Sequence, residues 1–104
     1  MSAIIITNEN FEAEVLNSEI PVLVDFWAPW CGPCQMVLPL VGEIAEERTD
    51  IKVAKINVDD NKELARQFRV MSIPTLMVFK GGEMVKKHVG TMEKDELVEF
   101  ATTE

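Results

Sequence analysis

The run Val22-Leu23-Val24-Asp25-Phe26-Trp27-Ala28 is apolar at odd and even positions alike, with Asp25 as its one ionisable residue. A strand with one wet face would alternate, so this segment belongs in the middle of a sheet that is covered on both sides. That demands helices above and below, and the rest of the chain supplies them. Ile4-Ile5-Ile6 reads as a short strand, after which Thr7 or Asn8 offers a cap to a helix through about Leu16, with Phe11 and Val15 facing inward. Val37, Leu40, Val41, Ile44 and Ala45 recur at helical spacing within residues 34–48. Pro39 lies inside that helix, where a missing donor and a clash with the preceding turn predict a kink. Residues 53–58 form the next strand, Asp59-Asp60-Asn61 a turn and cap, and Leu64 with Phe68 the inner face of a short helix. Residues 75–80 and 84–89 are strands joined by Gly81-Gly82, a two-residue link suited to a primed hairpin turn, so they must be antiparallel. Residues 93–101 close the chain as an amphipathic helix with Leu97, Phe100 and Ala101 inside. The order is βαβαβαββα, an α/β fold expected to occupy residues 1–104 as a single domain, since 104 residues leave no room for a second core.

The two cysteines fall at a chosen place in this order. Trp30-Cys31-Gly32-Pro33-Cys34 follows the central strand directly and opens the long helix, and a C-x-x-C pair in a βαβ setting reads as a redox motif. Free N–H groups and the dipole at a helix N-terminus favour a thiolate over a thiol, so Cys31 is expected to be acidic. The dipole alone contributes about 0.3 to 2 kcal/mol, so a larger shift requires direct N–H···S contact. Cys34, one turn on, points inward and can attack Cys31 once that residue is joined to a substrate sulfur: Cys31 attacks and Cys34 resolves. Gly32 permits the tight turn, and Pro33 pre-sets a helical φ where its missing donor costs little and stiffens the dithiol. A structural role for the pair fits poorly, because a hydrophobic fraction of 47% suffices for a core and a crosslink this short barely constrains the unfolded chain. Zinc would need four ligands, and the only further Cys or His is His88. Two inert core cysteines would not be flanked by the Trp, Gly and Pro of a turn.

Composition narrows the partners. With 18 acidic against 10 basic residues, the net charge of −8 opposes binding to nucleic acid or to anionic membranes. No apolar stretch is long enough to span a bilayer, and Met1 to Glu9 has neither the basic nor the apolar part of a signal peptide, so a reducing, cytoplasmic setting is expected. Gly-rich phosphate loops and ligand clusters are absent, which predicts no nucleotide, flavin or metal. Asp25 is the residue an ordinary core explains worst, since a lone carboxylate in a two-sided apolar strand should have a raised pKa.

Residues 22–34, VLVDFWAPWCGPC, resemble the active-site segment of the thioredoxin family almost letter for letter. The resemblance extends over nearly the whole chain, through Pro39, Lys55-Ile56-Asn57-Val58-Asp59, Ile73-Pro74-Thr75, Gly81-Gly82 and Val89-Gly90. It implies a five-stranded mixed sheet flanked by four helices, and a cis Pro74 beside the cysteines, where composition alone favours trans. It implies a general protein-disulfide reductase whose only redox group is the Cys31-Cys34 disulfide, acting as a monomer between a thioredoxin reductase and disulfide-containing client proteins. It further implies that Asp25 accepts the Cys34 proton under the influence of Lys55. The Ile73 backbone would pair with an extended substrate segment, and Trp30, Ile73, Pro74 and Gly90, next to Gly32 and Pro33, would form an apolar docking rim. Two departures bear on partner choice: Gln35 stands where many members carry Lys or Arg, and Arg69-Val70-Met71-Ser72 replaces a more usual glycine-containing approach to Pro74. Three roles remain open for this fold: a reductant, an oxidising disulfide former or isomerase, and a binding subunit with idle thiols.

Overall fold

The computed structural model describes residues 2–103. Strands β1 (Ile4–Ile6), β2 (Val22–Trp27), β3 (Lys52–Asn57), β4 (Thr75–Lys80) and β5 (Glu83–Val89) form one sheet in the order β1-β3-β2-β4-β5. The first three run parallel, and β4 and β5 antiparallel to their neighbours. β2 is therefore central, and its pattern of apolar residues on both faces is explained by what covers them. On one face Val22, Val24 and Phe26 pack with Phe11, Val15 and Leu64; on the other Leu23 packs with Val37, Val41, Ile44 and Leu97. The first cluster contains the rings of Phe11, Phe68 and Phe79, with centroids 5.3 to 5.7 Å apart and tilted or edge-on, the arrangement aromatic quadrupoles favour. The second lies beneath helices α1 (Cys34–Glu47) and α3 (Lys94–Thr102), while α2 (Lys62–Gln67) serves the first.

The elements match the sequence reading except after β1. A continuous α-helix from about Asn8 is expected there, but the chain makes turns through residue 10 and then a single π-helical turn, Glu12–Leu16, closed by the Asn17 N–H on the Glu12 carbonyl at 2.9 Å. Side chains compete with the helix for its backbone groups. The Thr7 N–H donates to Asn10 Oδ1 (2.7 Å), the Glu9 N–H to Thr7 Oγ1 (3.2 Å), and Asn10 Nδ2 to the Ile5 carbonyl (3.1 Å). Asn61 likewise occupies the N-cap position of α2 without capping it: its Oδ1 accepts from the Asn8 N–H and its Nδ2 donates to the Asn57 carbonyl, tying the loop after β1 to the end of β3. α1 runs unbroken through Pro39, and Glu93 with Glu96 forms a capping box at the start of α3. Gly81 and Gly82 have φ of 58° and 84°, the positive pair a type I′ hairpin requires.

The end of α2 carries strain. The Val70 N–H donates to the Ala65 carbonyl (2.8 Å) and the Arg69 N–H to that of Arg66 (3.1 Å), a Schellman closure whose left-handed position is filled by Arg69 at φ 54°. Glycine is the residue that position favours, since a side chain in the left-handed region costs about 1 to 2 kcal/mol, partly offset by glycine's freedom in the unfolded chain. Arg69→Gly is expected to raise the unfolding free energy by about 0.5 to 1 kcal/mol, read from the midpoint of a urea denaturation curve; an unchanged or lowered midpoint would contradict this.

Candidate active site

β2 ends at Trp27, and a turn closed by the Cys31 N–H on the Ala28 carbonyl (3.2 Å) delivers the chain to α1. Cys31 and Cys34 are joined as a disulfide with Cα atoms 5.3 Å apart. Cys31 is 5% exposed and Cys34 fully buried, so an incoming sulfur meets Cys31. The Cys34 N–H points at Cys31 Sγ across 3.2 Å, which supplies the direct amide contact that a strongly stabilised thiolate needs beyond the helix dipole. Gly32 and Pro33 are exposed between them, and Pro33, at φ −58° and ψ −31°, already has the conformation of the helix it opens.

The Ile73-Pro74 peptide bond is cis, and the Ile73 carbonyl oxygen stands 3.7 Å from Cys31 Sγ. Gly90, at φ 110°, donates its N–H to the Pro74 carbonyl (2.8 Å), so the end of β5 is tied to the loop before β4. Trp30 is 69% exposed, whereas Ile73 and Gly90 are half-buried and Pro74 is buried. Pro74 thus supports the rim from beneath instead of forming part of its surface. Trp30 and Ile73 line a groove of about 390 Å³ together with Val58, Val70, Met71 and Ser72, and Cys31 adjoins it through its contact with the Ile73 carbonyl. None of those lining residues is charged.

Asp25 is completely buried, and neither carboxylate oxygen has a hydrogen-bond partner. Strand alternation puts it on the face of Leu23 and Leu76, the face covered by α1, whose first residue is Cys34. Lys55 is its register partner on β3 and is half-buried. Burial pushes the Asp25 carboxyl up from 3.8 to about 7, and the nearby Lys55 charge holds it from rising further. A carboxyl titrating near neutrality is suited to taking up and releasing protons at physiological pH.

Three neighbours of the cysteines carry no signal in the motif itself. Trp27 and Val58 pack against Ala28, Cys31 and Cys34, and the Trp30 indole N–H donates to Asp59 at 3.0 and 3.3 Å. The parallel pairing of β2 with β3, Trp27 opposite Asn57, carries residues just beyond both strands to the same edge of the sheet. That adjacency follows from the βαβ order, and it is the signal that could have found Asp59. His88, by contrast, sits on β5 against the Phe100 ring, and among the described residues no group of three or more His, Cys, Asp or Glu is placed to hold a metal ion.

A mixed five-stranded sheet with helices on both faces, and a redox-active cysteine pair between its central strand and the helix that follows, defines a dithiol–disulfide oxidoreductase. The thioredoxin family model matches residues 2–103. A thioredoxin of Pyropia yezoensis is 55% identical over 98 residues, covering 93% of this chain and 92% of its own. A thioredoxin of Mycobacterium tuberculosis is 56% identical over 94 residues, 89% of this chain and 81% of the relative. A bifunctional thioredoxin reductase/thioredoxin of Mycobacterium leprae is 54% identical over 94 residues, 89% of this chain but 20% of that longer protein. The chain belongs to the thioredoxin family, and it is a disulfide oxidoreductase that exchanges disulfides with its partners.

Proposed function

We propose that the chain is a general reductant of protein disulfides, working as a cytoplasmic monomer with the Cys31-Cys34 pair as its only redox group. The observation that carries this reading is the placement of Cys31: it is the more accessible sulfur, it accepts the Cys34 N–H, and it lies beside the Ile73 backbone carbonyl and an uncharged apolar groove. In the reduced protein the Cys31 thiolate attacks one sulfur of a client disulfide, and the other client sulfur leaves as a thiolate. Cys34 loses its proton to Asp25, directly or through water, and its thiolate attacks Cys31 Sγ. The bond between Cys31 and the client breaks, and the second client sulfur leaves. Two electrons pass to the client and the Cys31-Cys34 disulfide remains. Lys55 tunes Asp25 by its charge. Trp30, Gly32, Pro33, Ile73 and Gly90, with Pro74 beneath them, hold the client segment, the Ile73 backbone pairing with it as an added strand would.

A thioredoxin reductase is the natural donor, a reading favoured by the relative in which a reductase and a thioredoxin are one polypeptide. No helix among the described residues is long and apolar enough to cross a membrane, and the acidic balance fits a freely diffusing protein. Equilibration of the Cys31-Cys34 pair against defined thiol–disulfide buffers tests the direction of electron flow. A reductant is expected to poise at about −270 mV, the value characteristic of thioredoxins, whereas about −180 mV or higher would assign an isomerase or oxidant role instead.

A further inference from the structure

We infer that Met71 is an oxidation site that controls client docking, its conversion to the sulfoxide weakening the grip on protein substrates while leaving the dithiol chemistry intact. The inference rests on the reductase reading above and adds a regulation of the same site. Met71 is 91% exposed, more than any other large hydrophobic side chain among the described residues, and it stands in the loop that carries Ile73 to Cys31. It forms a lip of the groove shared with Trp30, Val58 and Val70, so a client segment paired along the Ile73 backbone must pass over its thioether. Its position is held from behind: the Schellman closure of α2 fixes Val70, Lys87 Nζ donates to the Arg69 carbonyl (3.3 Å), and Thr75 Oγ1 donates to the Ser72 carbonyl. The backbone is therefore anchored while the side chain stays open to solvent.

An exposed thioether reacts with hydrogen peroxide without help: one S–O bond forms, the peroxide O–O bond breaks, the sulfur gives up two electrons, and water leaves. A flexible apolar group becomes a polar one at the place where apolar contact is to be made. The other methionines grade the reaction. Met36, 67% exposed, lies in a separate shallow groove with Leu40, Thr91 and Met92, and Met77 is fully buried in the sheet. Among the methionines of the described residues, Met71 should be modified first, Met36 next and Met77 last.

The test treats the disulfide form, whose sulfurs offer peroxide no thiolate, with increasing hydrogen peroxide and follows each methionine by peptide mass spectrometry. Each sample is then assayed on insulin and on a small aromatic disulfide too small to span the groove. Selective oxidation of Met71 is expected to raise KM for insulin about fivefold with kcat little changed and the small-disulfide rate constant preserved. Met71→Leu, compared with its own untreated sample, is expected to show no such rise. Oxidised Met71 with an unchanged KM, or an equal rise in Met71→Leu, would overturn the inference. An untreated protein inactive on insulin would instead remove the reductase reading on which it rests.

Discussion

Asp25→Asn is expected to be more stable than the parent protein at pH 8 and slower at the reaction it performs. The Asp25 carboxyl titrates at about 7 in the fold and at about 3.9 in an unfolded chain. Between those values the folded state holds a proton that the unfolded chain has released. The stability this provides is fully present below about pH 4 and is lost as pH rises through about 7. The loss is on the order of 4 kcal/mol for a buried group, since each pH unit of difference corresponds to about 1.36 kcal/mol. Asn cannot ionise, but its amide is left without partners at a cost of about 1 to 3 kcal/mol, so a net gain of about 1 to 3 kcal/mol remains at pH 8. At pH 3.5, where the carboxyl is protonated in both states, the gain should reverse to a loss of about 1 to 3 kcal/mol, the cost of the unpartnered amide. Urea denaturation of both proteins at the two pH values isolates Asp25, because every other titrating group is common to them; equal pH dependence of the two would contradict the assignment. Turnover should move the other way, falling about tenfold or more at neutral pH because Cys34 loses its proton acceptor, and an unchanged rate from neutral to alkaline pH would remove that role.

The two cysteines should fail in different ways. Cys34→Ser retains the accessible, amide-stabilised Cys31 and lacks only the resolving sulfur, so it should attack a client once and remain covalently joined to it. Cys31→Ser keeps a sulfur that is fully buried behind its partner and should form essentially no adduct. Mixed with a disulfide-bonded client and resolved on a non-reducing gel, the first variant should give nearly stoichiometric adduct, released by dithiothreitol, and the second about a hundredfold less. Comparable adducts from both variants would reverse or erase the division into attacking and resolving thiols.

Much of this site is legible in the sequence. The apolar run around Asp25 could satisfy both of its faces only as a central covered strand, and the position of Cys31 at a helix start followed from where that strand had to end. Asp25 was conspicuous because a carboxylate there has no cheap explanation, and the structure leaves both its oxygens without hydrogen bonds. What could not be read depended on contacts between distant segments. The Asn61 side chain accepts from the Asn8 N–H instead of capping α2 because β1 and β3 bring their loops together, whereas Asn10 displaces the expected helix by local bonds to Thr7 and Ile5. Trp30 and Asp59 meet for the same reason across β2 and β3. The cis bond before Pro74 was expected only through family resemblance, because an isolated Ile-Pro pair favours trans, and its burial beneath the rim is a property of the assembled sheet.

Catalytic reduction of protein disulfides at Cys31, the more accessible of the two sulfurs, is tested most directly by insulin turbidity. Catalytic amounts of the protein with excess dithiothreitol should bring on precipitation of the insulin B chain well before dithiothreitol alone does, with Cys31→Ser returning the time course to that of dithiothreitol alone. Precipitation no faster than dithiothreitol alone with the unaltered protein would contradict the account, leaving the cysteine pair either silent or reserved for a single dedicated partner.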